Sequence, residues 1–598
     1  SMHTKFLVVS FCIFTLHITA YSDALNDLDR GHRLIIEHGL QLQALVLDNE
    51  VFDAQTWADS NYTTVNFWAI PNVALFGDAP GIPWARWFGG HDVIADMDLP
   101  PEEMPYLSNL ISMQAGDEQD LTDPIVAQNT ADIYTYWRQH YPDQIHMLSQ
   151  MLKNMSEVEP HIDTIQPDLI AGGSYRLNNV DNYITEPIHR GGSPQKMYKE
   201  LLMLRELCLQ GHAGSNGNSI PYGIYTQLFY QMNDGDYELI VSESQMRLQL
   251  MAAWALGCKW ICGFIYNNKF SGGVANGDLY PVLFGEGGDW TAPTERFYQS
   301  AQLNTESLNL GPALIRLVST DVRIVSGRYI NPTCLPSMTP CELEIPLPAG
   351  MQAWTSDADP YITAITQTNL STINDGLPGD ILVGYFQPLH EEFDGANYTD
   401  EIYFMIVNSM AFQEASCAET QQQIDIDFDF SGTDITSLQR LSRTSGMIET
   451  VPLTFIASNQ YRLTLSYDGG EGDLYKFNTG APFILSNSPD SDGDGHVDAE
   501  DIFPYNPDEW ADADMDGLGD NFEQIILDYS LSDGFDVLED VFPEHDFDHD
   551  GVSNQDEFHW NMDPTDGASQ LSLSSISMIL MTLLAVSFFA VKRPILNF

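Results

Sequence analysis

Leu110-Ile-Ser-Met-Gln-Ala-Gly-Asp-Glu-Gln-Asp120 passes from a buried strand into two adjacent carboxylates, Asp117 and Glu118. Leu110, Ile111 and Met113 are apolar and no helical period follows them, so the segment reads as a strand. Gly116 marks the point where strand becomes loop. In a parallel barrel the C-terminal strand ends carry the chemistry, and an acidic pair there suits general acid/base work. A solvated loop, or an Asp capping the next helix, accounts for a lone acidic pair equally well. The choice depends on what surrounds it.

Upstream and downstream, strands alternate with helices. Leu40–Leu47 and Tyr62–Ile70 precede the quoted stretch, and the loop 71–105 carries Trp84, Arg86, Trp87, His91 and Asp92. Loops this long are usually functional. After it come a helix over 127–140 and strands at 144–150 and 168–176. A helix over 194–210, a strand at 220–229, a helix over 242–256 and a strand at 258–267 complete the series. Seven strands are recognisable and an eighth is not. Strict alternation implies a parallel sheet, and a length of about 300 residues suits a (β/α)8, TIM-like barrel in the α/β class over 25–315. A doubly wound sheet is the alternative, but no glycine-rich dinucleotide loop is present.

Past Arg316 the pattern changes to short strands and turns, which predicts an antiparallel β-sandwich over 316–485. Its clearest strand is Ile424-Asp-Ile-Asp-Phe-Asp-Phe430, apolar and acidic by turns, with one face buried and one wet.

The 598 residues are enough for about three or four domains. The apolar fraction of 43% is ample for packed cores. The net charge of −61 excludes nucleic acid as a partner, since phosphate binding needs a basic footprint. That charge is unevenly placed, with no Lys or Arg between Lys476 and Lys592. Asp546, Asp548, Asp550, Gly551, Asn554 and Glu557 match a calcium loop of the EF-hand kind, with acids at positions 1, 3, 5 and 12 and Gly at 6. Two related loops precede it: Asp490, Asp492, Asp494, Asp498 and Asp501, then Asp512, Asp514, Asp516, Asp520 and Glu523. Three such loops over 486–567 point to structural Ca2+.

The N-terminus reads as a secretory signal over 1–20, with Lys5, an apolar run from Phe6 to Ile18, and Ala20 before the cut. Cys334 and Cys341 bracket a short loop that a disulfide would close in an oxidising compartment. Cys208, Cys258 and Cys262 sit among apolar residues and read as small hydrophobes. Within the tail 571–598, Leu573–Val591 is uncharged and long enough to span a bilayer, with Lys592-Arg593 on the cytoplasmic side.

The order signal, barrel, sandwich, calcium spacer and tail resembles that of secreted bacterial polysaccharide-degrading enzymes. Residues 30–480 resemble a clan A type glycoside hydrolase barrel with its following β-sandwich. The matching pieces are Gly116-Asp-Glu118, Pro167-Asp-Leu-Ile leading to Tyr175, Tyr225-Thr-Gln227, Ser242-Glu-Ser-Gln-Met-Arg247, Gly263-Phe-Ile-Tyr266 and Asp468–Lys476. The acidic loops, with Asp-Ile-Phe-Pro504 between two of them, resemble thrombospondin type 3 repeats, and the tail resembles bacterial sorting tails. The resemblance implies an exported or surface-held enzyme acting on a polysaccharide or oligosaccharide, with a membrane as partner through the tail.

Under that resemblance Glu118 is the acid/base and Asp117 its neighbour. Clan A barrels carry Asn-Glu at that position and a Glu on a late strand, whereas this chain has Asp-Glu and ends its late strands in Gln227 and Tyr266. Glu243 is the best-spaced nucleophile, although a helix N-terminus explains it as well; Glu186 and Glu286 are further candidates. An Asp-Glu pair also serves hexosaminidases that use the substrate's own acetamide, which need no protein nucleophile. Trp68, Trp84, Trp87, Tyr175, Tyr222, Tyr225 and Tyr266 are candidates for stacking on sugar rings, and Arg86, Arg176 and Arg190 for holding an anionic substituent. A catalytically inactive glycan-binding protein is the non-enzyme alternative.

Overall fold

The computed structural model describes residues 28–47, 52–68, 81–88, 97–151, 154–173, 195–233, 236–237, 241–268, 279–285, 291–331, 334, 341–389, 401–413, 415–481, 483–485, 502–503, 509–514, 516–529, 537–560 and 563–565. The chain divides into two compact units, Ser1–Ser486 and Asn487–Phe598.

The first unit opens with helix α1 (Arg30–His38), started by Asp29, whose carboxylate accepts the N–H groups of Gly31 and His32. Eight strands then close into a barrel: β1 (Gln41–Val46), β2 (Thr64–Phe67), β3 (Trp84–Phe88), β4 (Leu110–Ala115), β5 (Ile145–Ser149), β6 (Leu169–Gly173), β7 (Tyr222–Gln227) and β8 (Trp260–Asn267). Each strand pairs in parallel with its sequence neighbour, and β8 returns to β1. The strand that the sequence hid is β3, inside the segment read as a loop over 71–105. Its residues Trp-Ala-Arg-Trp-Phe pair with Val65–Phe67 on one side and Leu110–Ala115 on the other.

The barrel interior is polar in layers. Gln41 and Thr64 bond at 3.1 Å; above them Gln43 links Asn66, at 3.1 Å, to Ser112, at 3.0 Å. Alternation puts these amides inside and Leu42, Val65 and Met113 in the shell that the helices cover. The main helices are α2 (Pro124–His140), α3 (Gln195–Gln210), α4 (Glu243–Ala255) and α5 (Glu295–Leu314). Asp123 caps α2 through the Ile125 N–H at 2.8 Å, with Pro124 at its first position. Ser242 and Gln245 form a reciprocal capping box on α4. The 20-residue α5 had no clear signal, because its apolar positions are diluted by Asn, Gln, Ser and Thr and its last turn holds Gly311 and Pro312.

Two sheets follow, antiparallel except for one short parallel pair, Arg323–Ile324 with Gln352–Ala353, at the edge of the larger. A seven-stranded sheet is centred on Ile381–Pro388, Tyr403–Asn408 and Gly472–Phe477, and a four-stranded sheet contains Ile362–Asn369, Gln422–Asp429 and Gln460–Tyr467. The alternating strand keeps its pattern: Ile424, Ile426 and Phe428 are buried between the sheets while Asp427 faces out to Arg462, at 2.6 Å. The larger sheet is apolar on both faces. Ile381, Val383 and Tyr385 enter the sandwich core, whereas Leu382 and Phe386 join the barrel's core. Between them Gly384 lies so close to α4 that a Cβ there would come 2.0 Å from the Ala255 carbonyl oxygen. Helix α4 is therefore seated directly on the sheet.

A buried ion network reinforces that contact. Arg247 on α4 reaches Glu306 on α5 at 3.0 Å and Glu471 at 2.8 Å, and Arg443 reaches Glu471 at 2.5 Å and Asp473 at 2.9 Å. Cys334 and Cys341 form the disulfide that their spacing allowed, and Cys208, Cys258 and Cys262 are buried thiols.

The second unit holds helices α6 (Asp520–Tyr529) and α7 (Asn554–Trp560), each preceded by an acidic loop. Leu518, Phe522, Ile526 and Val541 form its small core, with Phe547 and Phe558 against it. Among the described residues no helix is long and apolar enough to cross a membrane. The signal-like segment 1–20 and the apolar tail 571–598 lie outside the described residues.

Candidate active site and acidic loops

The acidic pair stands where strand β4 ends at the C-terminal mouth of the barrel. Gly116, with φ 65°, turns the chain out of the strand, and its N–H donates to Phe88 O at 2.8 Å. Its carbonyl accepts from two side chains, Gln114 Nε2 at 2.7 Å and Trp87 Nε1 at 3.1 Å. Tyr225 on β7 donates its hydroxyl to Gln114 Oε1 at 2.6 Å. Three strands therefore hold the turn that presents Asp117 and Glu118. Gln150, after β5, adds a bond from its Nε2 to Gln119 O at 2.7 Å.

Both carboxylates are exposed. Glu118 has φ 49°, a left-handed conformation that costs a residue with a Cβ about 1–2 kcal/mol. Strain of this kind at a strand end that other strands brace points to a functional position. Asp117 is exposed by area, yet the protein around it desolvates its carboxyl and raises its pKa; Ser149 Oγ, 3.4 Å from Oδ1, pulls the other way.

Beside the turn, Trp68 and Trp87 stack with their centroids 4.4 Å apart and planes 6° from parallel. Phe264 on β8 meets Trp68 edge-on at 6.4 Å. All three rings are half-buried, so the mouth has an aromatic wall next to its acids. Among the residues expected to bind substrate, the structure brings Trp68, Trp87 and Tyr225 together here. Gln227 ends the same strand as Tyr225 and is buried, its N–H donating to Gln249 Oε1 at 2.7 Å.

Other expectations are corrected. Trp84 and Arg86 share the outward face of β3, because side chains alternate along a strand. Trp84 is buried with its Nε1 on Tyr106 O at 3.0 Å, and Arg86 is buried against Glu103 at 3.0 Å. Neither faces the mouth. Tyr266 packs outside the barrel with Trp57, Tyr62 and Phe284, and Tyr222 spends its hydroxyl on Leu256 O.

Glu243 is the first residue of α4, and its Oε2 accepts the Cys417 N–H at 3.0 Å. Ser242 and Ser244 beside it bond Phe412 O, so this helix end is occupied with the sandwich. Glu243 is thus engaged with the sandwich at Cys417. Tyr175, Arg176, Glu186, Arg190 and Glu286 lie outside the described residues. Gln114, Ser149, Gln150 and Phe264 were missed. Gln114 lies two residues before Gly116, on the face that Ser112 shares, and that alternation is the signal that could have found it.

The two acidic loops of the second unit repeat one design. The carboxylate of Asp512 accepts the Asp516 and Gly517 N–H groups at 3.2 and 3.0 Å, and that of Asp546 accepts those of Asp550 and Gly551 at 3.1 and 3.0 Å. Gly517 and Gly551 have φ 95° and 99°, the sharp turn at the sixth position that glycine permits. Asp512, Asp514 and Asp516 can turn ligand oxygens to within 4.8 Å of one another, as can Asp546, Asp548 and Asp550.

At the twelfth position Glu523 and Glu557 are fully buried, and neither oxygen of either has a hydrogen-bond partner. Burial first, and then the neighbouring acids, push Glu523 up to about 8 and Glu557 up to about 7. The ninth-position residues behave differently from the expectation that they are ligands. Asp520 accepts the Ala513 N–H at 2.7 Å, and Asn554 accepts the Phe547 N–H at 3.2 Å and donates to Phe542 O. They close the loop onto itself. Asp490, Asp492, Asp494, Asp498 and Asp501 lie outside the described residues.

No family model matches the chain, and no curated protein matches it. Solved structures resemble it distantly. A putative α-galactosidase from Bacteroides fragilis is 11% identical over 74% of this chain and 79% of its own, with a TM-score of 0.36. An endo-β-1,4-mannanase from Thermotoga petrophila is 8% identical over 73% and 99%, with a TM-score of 0.32. A GH2 β-galacturonidase from Eisenbergiella tayi is 12% identical over 44% of this chain, with a TM-score of 0.30, and the match spans 51% of its length. Likenesses this distant carry no argument about activity; the residues at the barrel mouth do.

Proposed function

We propose that the barrel is a glycoside hydrolase acting on a polysaccharide or oligosaccharide, with Glu118 as proton donor to the leaving oxygen. The observation that carries this reading is the acidic pair at the mouth, braced from β3, β4 and β7 and set beside the Trp68–Trp87 stack. Hydrolysis of a glycosidic bond needs an acid at the leaving group and a countercharge for the oxocarbenium-like transition state. Flat aromatic faces hold sugar rings by their apolar sides. The Cys334–Cys341 disulfide supports an exported chain.

The engagement of Glu243 with Cys417 favours a second reading within the same class. Among the described residues within three positions of the C-terminal ends of the eight strands, Asp117 and Glu118 are the acidic ones. A 2-acetamido sugar would supply its own nucleophile, with Asp117 orienting the acetamide and Glu118 acting as the acid. Reducing-sugar release from plant and marine polysaccharides and from chitin-type oligomers tests both readings. Activity confined to the acetamido substrates supports assistance, and activity on neutral glycans a protein nucleophile. Glu118→Gln is expected to lower the rate about 10²–10⁴-fold. Binding without turnover on every substrate would make the protein a glycan-binding module instead.

A further inference from the structure

A cavity of about 320 Å³ opens beside the start of α5, with Tyr230, Val282, Phe284, Glu295 and Arg296 in its lining. That volume is at the small end of the range for ligand sites, about 300–1,000 Å³. The far end of α5 rests at the base of the barrel, where a Cβ on Gly311 would stand 3.0 Å from Leu40 Cβ, just before β1. The helix therefore starts at the C-terminal mouth, as helices that follow barrel strands do, and the cavity shares the face that carries Glu118.

Its apolar wall comes from two short antiparallel strands, Phe229–Asn233 and Leu279–Pro281, that continue past β7 and β8. Tyr230 pairs with Tyr280 across them, and the rings stack with centroids 5.1 Å apart and planes 17° from parallel. Phe229, beside Tyr230 in the strand, meets Phe264 at 5.5 Å, and Phe264 meets Trp68 in the mouth. One strand thus serves the aromatic wall of the mouth and the wall of the cavity.

The polar edge is one turn of α5. Gln299 accepts from Arg296 Nη1 at 2.5 Å and donates its Nε2 to Glu295 Oε1 at 3.3 Å, so one amide holds both charged side chains. Arg296 offers donors and the Glu295 carboxylate acceptors. Side by side they match sugar hydroxyls, which donate and accept, and together they carry no net charge. The half-buried Tyr230 and the buried Phe284 supply flat apolar surface for a pyranose ring. An anionic glycan would meet Glu295 and a chain of net charge −61.

We infer that this cavity is a second glycan-binding site, taking a neutral sugar of the chain whose scissile bond lies at Glu118. It rests on the glycan reading of the mouth and extends it to a remote part of the substrate. Its contacts hold a long substrate and do nothing for a short one.

Binding of cellohexaose, mannohexaose, chitohexaose and hexagalacturonate to the whole chain carrying Glu118→Gln, measured by calorimetry, tests this. At least one neutral hexasaccharide is expected to bind, and adding Tyr230→Ala or Arg296→Gln is expected to weaken it about tenfold. With Glu118 intact, either substitution should raise KM on the matching polysaccharide and leave kcat/KM on a short aryl glycoside unmoved. Melting temperatures check that both variants fold. Affinities unmoved by both substitutions, or no binding of any neutral probe, would overturn the site. Tighter binding of hexagalacturonate than of every neutral probe would overturn the choice of a neutral sugar. Binding that falls in the cavity variants while wild type hydrolyses nothing keeps the site and rejects the hydrolase reading. Hydrolysis that Glu118→Gln abolishes, with binding unmoved in the cavity variants, does the reverse.

Discussion

Glu118 and Glu243 occupy different local settings. Glu118 sits strained at a braced strand end, while Glu243 is absorbed in the contact between α4 and the sandwich. Glu243→Gln should accordingly leave the chemical step nearly unchanged and act on stability by about 1 kcal/mol, seen as a lower melting temperature. The ambiguity was visible beforehand, since Ser242 before it is a helix cap, and the capping box settles the local role. Arg86 and Trp84 could not be placed in the same way. Strand parity decides which side a residue faces, and parity cannot be counted in a strand that is not recognised. Asp117 carries a pH expectation. Its pKa is raised, so its anion is lost at a higher pH than that of an ordinary Asp. If the anion orients substrate, the acid limb of the rate profile should lie above pH 3.8 and should vanish in Asp117→Asn, leaving any limb that belongs to Glu118.

At the scale of elements, alternation revealed seven strands because each is apolar and bounded by turn residues. Strand β3 escaped because two Trp and an Arg within five residues, flanked by Gly and Pro, read as a binding loop. The barrel base holds a further titration. His146 on β5 is buried, its Nε2 on Tyr141 O at 3.0 Å, and desolvation lowers its pKa to about 3, with Asp168 opposing. A base with a depressed pKa is neutral in the fold and protonates more readily once unfolded. Its effect on stability is therefore absent above pH 6.5 and grows as the pH falls from 6.5 towards 3, by on the order of a few kcal/mol. Thermal melts of His146→Gln across that window should show a shallower loss than wild type. Helix α4 on the larger sheet supplies another test. Gly384→Ala places a methyl against the Ala255 carbonyl, and denaturant titration should show a loss of about 1–3 kcal/mol.

For the whole molecule, composition spoke most clearly where charge was most extreme. A run of chain with 12-residue acidic spacing and no basic residue announced its loops, and the structure adds the two orphaned glutamates that spacing alone does not show. If the acidic loops hold the calcium their spacing leads one to expect, a chelator should open residues 509–560 to chymotrypsin while the barrel and sandwich unit keeps its own melting transition, because both loops belong to Asn487–Phe598. A single transition lost as a whole would contradict that division.

In the proposed reaction Glu118 donates the proton to the leaving group. The decisive comparison is of kcat/KM, for wild type and Glu118→Gln, on an unactivated oligosaccharide and on an aryl glycoside whose leaving group departs without protonation. General acid catalysis is worth about 10²–10⁴-fold and is needed only where the leaving group is poor. Glu118→Gln should therefore lose that factor on the oligosaccharide and keep most of its rate on the aryl glycoside. An equal fall on both substrates, or no fall on either, would contradict the assignment.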